Sequence, residues 1–206
     1  SDGTHTLRIF GNTTENEQIE KIYQFIIDND SPRVILNNIS NGDYLASGSE
    51  IEITLIENNT VTDYFYNWDG IHNIQLDLNQ SNTIEVPTLS EGHHFLNIYI
   101  KDAAENTQHQ EFNFIIDNQA PEITNISPDP LEIQSNDSIL LTIEDNYELN
   151  KIFYNLGEET NQSRDLDGSS QEISILVPSN ISKDYSLKIY LFDSAAHLFA
   201  HSYVIT

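Results

Sequence analysis

Phe95-Leu96-Asn97-Ile98-Tyr99-Ile100, followed by Glu111-Phe112-Asn113-Phe114-Ile115, places apolar residues at every second position. Side chains of a strand point alternately to its two faces, so this spacing describes strands with one face buried. Ile51-Glu52-Ile53-Thr54-Leu55 repeats the pattern upstream. Turn-forming stretches separate such runs: Asn41-Gly42-Asp43, Asp69-Gly70, Glu91-Gly92, Ser127-Pro128-Asp129-Pro130 and Asp167-Gly168. No segment carries a helical period. Short strands punctuated by turns predict an all-β chain built of antiparallel sandwiches.

The same residues recur. Leu7, Ile9, Phe25, Ile27 and Pro32 return as Leu96, Ile98, Phe114, Ile116 and Pro121, each 89 positions on. Ile51, Ile53 and Leu55 return as Ile139, Leu141 and Ile143 at an offset of 88, and Ile84, Val86 and Pro87 as Ile175, Val177 and Pro178 at 91. A repeat of about 89 residues therefore organises the chain. Two complete copies are expected at 31–117 and 120–206. Residues 1–28 match only the last two strands of a copy. Seven strands per copy are expected. In the first complete copy they centre on 33–37, 50–56, 62–68, 73–78, 83–86, 94–101 and 111–116; in the second, on 122–126, 138–144, 150–155, 163–166, 172–177, 186–192 and 199–205. The fourth is polar and weak in both.

Composition narrows the function. Among 206 residues, 33 are Asp or Glu and 8 are Lys or Arg, a formal charge of −25. Nucleic-acid binding needs a basic footprint, and an anionic membrane surface would repel this chain. Cysteine is absent, which removes disulfides, thiolate metal sites and a Cys nucleophile. No apolar run approaches 18 residues. Methionine is absent too, from which a processed or excised chain is expected. Pairs of carboxylates are too common here to mark a catalytic dyad, and no nucleophile elbow, phosphate-binding loop or zinc-protease motif occurs. The chain is expected not to be an enzyme.

The motif Gly92-x-His94-x-Leu96-x-Ile98, then Asp102-x-Ala104-x-Asn106, Phe114-x-Ile116-Asp117 and Pro121, with Tyr66-x-Trp68-Asp69-Gly70 upstream, resembles tandem immunoglobulin-like, cadherin-like repeats of prokaryotic cell-surface proteins. In that family the turn after the Asp usually reads Ala-Gly-Asn. Here it reads Ala104-Glu105-Asn106, and Ser194-Ala195-Ala196-His197 in the last copy, so the tight turn must be built without glycine. The resemblance implies immunoglobulin-like β-sandwiches in stalks, filaments, adhesins or surface-layer arrays, with extracellular, cell-surface location and no chemistry of their own.

Within that setting several candidate sites stand out. Asn-x-Ser/Thr acceptors occur at Asn12, Asn29, Asn38, Asn58, Asn79, Asn125, Asn136, Asn161 and Asn180, about twice the number expected by chance. They mark a glycoprotein, or they reflect an Asn- and Ser-rich composition. Asp28-Asn29-Asp30-Ser31-Pro32 is similar to a cadherin calcium linker, and Asp117 heads the equivalent junction. Asp28, Asp30 and Asp117 are thus candidate calcium ligands, with solvated linker acids as the alternative; no other cofactor is implied. His93, His94 and His109 are more simply structural than zinc ligands. Residues 1–28 would form a lone hairpin with an open edge and an uncovered face. It belongs to a preceding sandwich, or it completes one in another subunit.

Two functions follow. The first is a structural module whose partners are neighbouring modules or further copies of itself. The second is an adhesin or carbohydrate-binding module, free-standing or appended to a secreted enzyme, whose partner is a glycan or surface receptor. Binding needs an outward aromatic platform, drawn from Tyr44, Tyr64, Phe65, Trp68 and Tyr147. Alternation puts Tyr64, Tyr66 and Trp68 on one face and Phe65 on the other. A stacked outward patch favours binding; its absence favours the structural role.

Overall fold

The computed structural model describes residues 2–15, 17–76, 82–157, 160–179 and 185–205. Among these residues it is all-β with one short 3-10 turn at Pro130–Glu132. The chain packs as two compact units, one of 1–38, 52–83 and 95–112, the other of 39–51, 84–94 and 113–206.

In the first unit, β1 (Gly3–Asn12) and β2 (Gln18–Ile27) form an antiparallel hairpin. One face carries Leu7, Ile9, Ile19, Tyr23 and Phe25, each about half exposed. Their counterparts Leu96, Ile98 and Phe114 are fully buried. The hairpin therefore shows to solvent the face that the complete copy hides. β3 (Arg33–Leu36) pairs with β5 (Glu50–Ile56), aligning Val34 with Leu55. β6 (Val61–Trp68) is flanked by β7 (Ile71–Gln75) and by β9 (Gly92–Asp102). Tyr64, Tyr66 and Trp68 all point inward and are buried, as alternation requires. β7 is exposed along its whole length, which explains its weak apolar signal.

The second unit contains β4 (Tyr44–Leu45), which runs parallel to β10 (Thr107–Ile116) through the pairs Ile115–Tyr44 and Ile116–Leu45. Two residues carry no readable period, so β4 is invisible to alternation. The last copy supplies a three-stranded sheet of β11 (Glu122–Ser127), β12 (Ser138–Glu144) and β15 (Ser170–Leu176). Its four-stranded sheet has the order β14 (Gln162–Asp165), β13 (Leu149–Leu156), β16 (Tyr185–Asp193), β17 (Leu198–Ile205). Inward residues of both sheets, among them Ile139, Leu141, Ile143, Ile152, Leu187, Ile189 and Leu191, make one core. Trp68 of the first complete copy is replaced by Leu156 in this one, and both are buried. The remaining sheets run β4-β10-β9-β6-β7 and β3-β5-β8, the last being Thr83–Glu85.

The expected strands lie within a few residues of the observed ones. β9 and β10 are longer than expected because their outer ends hold polar pairs that alternation alone does not register. Part of the expected 73–78 strand lies outside the described residues.

Candidate functional site

Burial of acids distinguishes the ends of the copies. Asp102 closes β9 and Asp193 closes β16, and they are 0% and 1% exposed. Each accepts backbone N–H groups from the turn that follows. Asp102 Oδ1 receives Ala104 N at 2.8 Å and Asn106 N at 2.9 Å, and Oδ2 receives Asn106 Nδ2 at 2.9 Å. Asp193 Oδ1 receives His197 N at 2.8 Å, while Oδ2 lies 2.9 Å from His197 Nδ1. The missing glycine is thereby explained: Glu105 and Ala196 take left-handed φ values of 71° and 68°, held there by the Asp.

The two acids differ in electrostatics. Burial works to raise the Asp102 carboxyl, but the Asn106 and Ala104 hydrogen bonds outweigh it and hold it below the usual aspartate range. Burial raises Asp193; His197 partly offsets this, and the charge of Asp117 adds to it. Burial likewise raises Asp145, which also feels Asp117.

Around each of these turns a carboxylate cluster forms. Asp28, Glu57 and Asp102 bring oxygens within 4.8 Å of one another. Asn59 Nδ2 donates to Asp28 Oδ2 at 2.7 Å, and Asn106 Nδ2 to the Asp28 carbonyl at 3.2 Å. Asp28 also groups with Asp2 and Asp30, on a more exposed side. Asp117 groups with Asp193 and His197. Asp117 is 1% exposed. Its Oδ1 accepts Gln119 N and Asn146 Nδ2, both at 3.1 Å, and its Oδ2 has no partner among the described residues. Asn146 also reaches Glu91 Oε2 at 3.2 Å. A polar groove of about 350 Å³ lined by Gln119, Glu122, Glu144, Asp145 and Asn146 lies beside the Asp145–Asn146 end of this group.

The structure thus brings Asp28 and Asp30 together and gives Asp117 partners that were not expected for it. Glu57, Asp102, Asp145, Asp193 and His197 escaped notice as site residues. Asp102 and Asp193 had left a signal, an Asp recurring before a turn at an offset of 91.

A second arrangement lies on an outward face. Phe65 stacks on Tyr99 with ring centroids 4.9 Å apart, and Tyr99 on His109 at 4.3 Å and 2°. Phe65 and Tyr99 are cross-strand partners, and His109 Nε2 is 2.9 Å from Asn97 Oδ1. Asp63, Lys101 and Gln108 join the three rings around a shallow groove of about 240 Å³. Of the aromatics considered for a platform, Tyr64 and Trp68 are core residues, Tyr44 and Tyr147 sit 5.9 Å apart beside acidic groups, and Phe65 alone belongs to the strip.

His93 pairs with Asn113 and His94 with Ser90, so with His109 on Tyr99 the three imidazoles serve separate contacts. Asn12, Asn29, Asn38, Asn58, Asn125, Asn136 and Asn161 are all exposed. Asn79 and Asn180 lie outside the described residues. Among the described residues no helix is long and apolar enough to cross a membrane.

Comparison with known proteins bears on the fold. No protein-family model and no curated protein matches the sequence. Among solved structures, the chain is similar to the fibronectin(III)-like modules of Clostridium thermocellum CbhA, at 11% identity and a TM-score of 0.52, over 82% of this chain and 91% of that one. It is also similar to the FN1–FN3 domains of chicken CNTN1 (12%, TM-score 0.48, 98% and 75%) and to a tetra-tandem repeat from the extending region of a large adhesion protein (10%, TM-score 0.35, 98% and 56%). Of these three, the first exceeds 0.5, and its likeness is one of fold. The chain has the fibronectin type III and immunoglobulin-like β-sandwich fold in tandem.

Proposed function

We propose that the chain is a non-catalytic structural segment of an extracellular microbial surface protein, N-glycosylated, in which the hairpin 1–28 and the modules 31–117 and 120–206 form part of a stalk, filament or surface-layer array. The observation that carries this reading is the repeated use of buried Asp102 and Asp193. Each fixes the turn that follows its strand, a use of polar groups that serves rigidity. The seven exposed acceptor asparagines and the net charge of −25 fit a solvated outer surface. Antibody labelling of intact and permeabilised source cells tests the location. Equal labelling of both is expected; labelling only after permeabilisation contradicts it.

The Phe65–Tyr99–His109 strip favours a second reading, carbohydrate binding by stacking of sugar rings on Tyr99, with Asp63, Lys101 and Gln108 as polar rim. Titration with gluco- and manno-oligosaccharides, followed by calorimetry, separates the two. Binding abolished by Tyr99→Ala supports the second reading, and no heat with any sugar leaves the strip as cross-strand packing.

A further inference from the structure

The Asp117 cluster contains a group that its counterpart lacks. His197 stands 91 positions after Asn106, at the same place in the turn. Both residues donate their backbone N–H to the buried Asp, at 2.8 and 2.9 Å. The Asn106 side chain donates its amide hydrogens to the oxygens around it and offers no nitrogen ligand, whereas a neutral imidazole nitrogen is a ligand for transition metals. The surroundings of His197 are built for a cation. Asp117 and Asp193 are each 1% exposed, and their ligand atoms and that of His197 all lie within 4.8 Å. Asp117 Oδ2 is buried and accepts no hydrogen bond from the described residues. Asp145 Oδ2, on the loop after β12, is also buried with no partner among the described residues. Among the described residues the ion pairs bring no Lys or Arg to these acids, and the imidazole of His197 is the partner that Asp193 has. Buried carboxylates without a balancing charge are costly, and metal coordination is one of the few ways to offset that.

We infer that Asp117, Asp193 and His197 form a binding site for a divalent transition-metal ion of the zinc class, with Asp145 as a neighbouring acid. The donor set decides the class. One imidazole with two carboxylates suits zinc and its neighbours, whereas calcium takes oxygen ligands alone. His197 Nδ1 and Asp193 Oδ2, 2.9 Å apart in a hydrogen bond here, would open to about 3.4 Å around a tetrahedral ion with ligands at about 2.1 Å. The groove beside Asp145 adds the carboxylates of Glu122 and Glu144 to the acidic surroundings. Bound there, the ion would tie Asp117, which follows β10, to the turn between β16 and β17. It would stiffen the junction of the two complete copies. This inference does not depend on the proposed surface role, because a spacer without metal and a metal-holding binder are both coherent.

The test uses the whole chain after EDTA treatment, titrated with zinc chloride and separately with calcium chloride by calorimetry and thermal melting. One tight zinc equivalent is expected, with a melting temperature that climbs as zinc is raised. His197→Asn places in the last copy the residue the first copy already uses, so its fold should survive. It should weaken zinc at least about tenfold, since even outer-sphere partners contribute that much. Asp117→Asn keeps the acceptor for Asn146 and Gln119 and should weaken zinc similarly. Zinc should also shift the His197 ring nitrogen resonances. Tight zinc binding unchanged in His197→Asn, from surface imidazoles elsewhere, would overturn the inference. So would calcium binding more tightly than zinc and indifferently to His197, or no zinc effect at all.

Discussion

Ala196→Gly is expected to stabilise the chain. Ala196 holds φ at 68°, where an L-residue's Cβ crowds the following carbonyl at a cost of about 1–2 kcal/mol. Glycine removes that cost but gives the unfolded chain about 0.5–1 kcal/mol more backbone entropy to lose. The side chain is exposed, so its removal forfeits little burial. The balance is a gain of about 0.5–1 kcal/mol, which with a urea slope of about 2 kcal/mol/M moves the midpoint up by about 0.4 M. Glu105→Gly relieves the same conformation at φ 71° but loses the exposed ion pair with Lys101, so its gain should be smaller by about 0.3–0.5 kcal/mol. Ala195→Gly, next door and not in the left-handed region, should destabilise by about 0.5–1 kcal/mol. Equilibrium urea unfolding followed by circular dichroism measures all three. A lowered midpoint for Ala196→Gly, or equal losses for Ala195→Gly and Ala196→Gly, would refute the claim that Asp193 holds a strained turn that lacks its glycine.

Other outcomes follow from buried groups. Tyr64 is 2% exposed with an unpartnered hydroxyl, so Tyr64→Phe should leave stability unchanged or raise it by up to about 1 kcal/mol; a loss above about 1 kcal/mol in urea would reveal a hydrogen bond there. Burial pushes the Tyr64 phenol well above its ordinary value of 10.0. Its folded pKa is raised, so the stability it lends is complete below about pH 10 and drains away as pH rises further; spectrophotometric titration of the folded chain should show a late-ionising tyrosine that Tyr64→Phe removes. Gly157→Ala should cost about 1–3 kcal/mol in the same urea assay, because φ is 65° and a Cβ would stand 2.4 Å from Tyr185 Cε1. Trp68, the sole tryptophan, is 4% exposed, so its emission should be blue-shifted and poorly quenched by acrylamide; emission typical of exposed indole would contradict its core position.

Alternation made most strands legible because each copy buries one face of each sheet and wets the other. Leu96, Ile98 and Ile100 announce β9 through that rule alone. β4 was illegible because Tyr44–Leu45 is too short to have a period, and its parallel partner lies far along the chain. The turn after β9 was half legible: the missing glycine was visible, but not that Asp102 would bury itself to replace it. The clusters depend on residues far apart in sequence, such as Asp117 with Asp193, and only the packing of the copy brings them together. The aromatic strip escaped for the same reason. Phe65 was placed outward by alternation, whereas Tyr99 joined it through a strand register that the sequence does not print.

The most direct test of the surface-spacer account is a glycopeptide map of the protein taken from its native source. The account predicts sugar increments on several of the exposed acceptors Asn12, Asn38, Asn58, Asn125 and Asn136. Every acceptor peptide at its bare mass would contradict it.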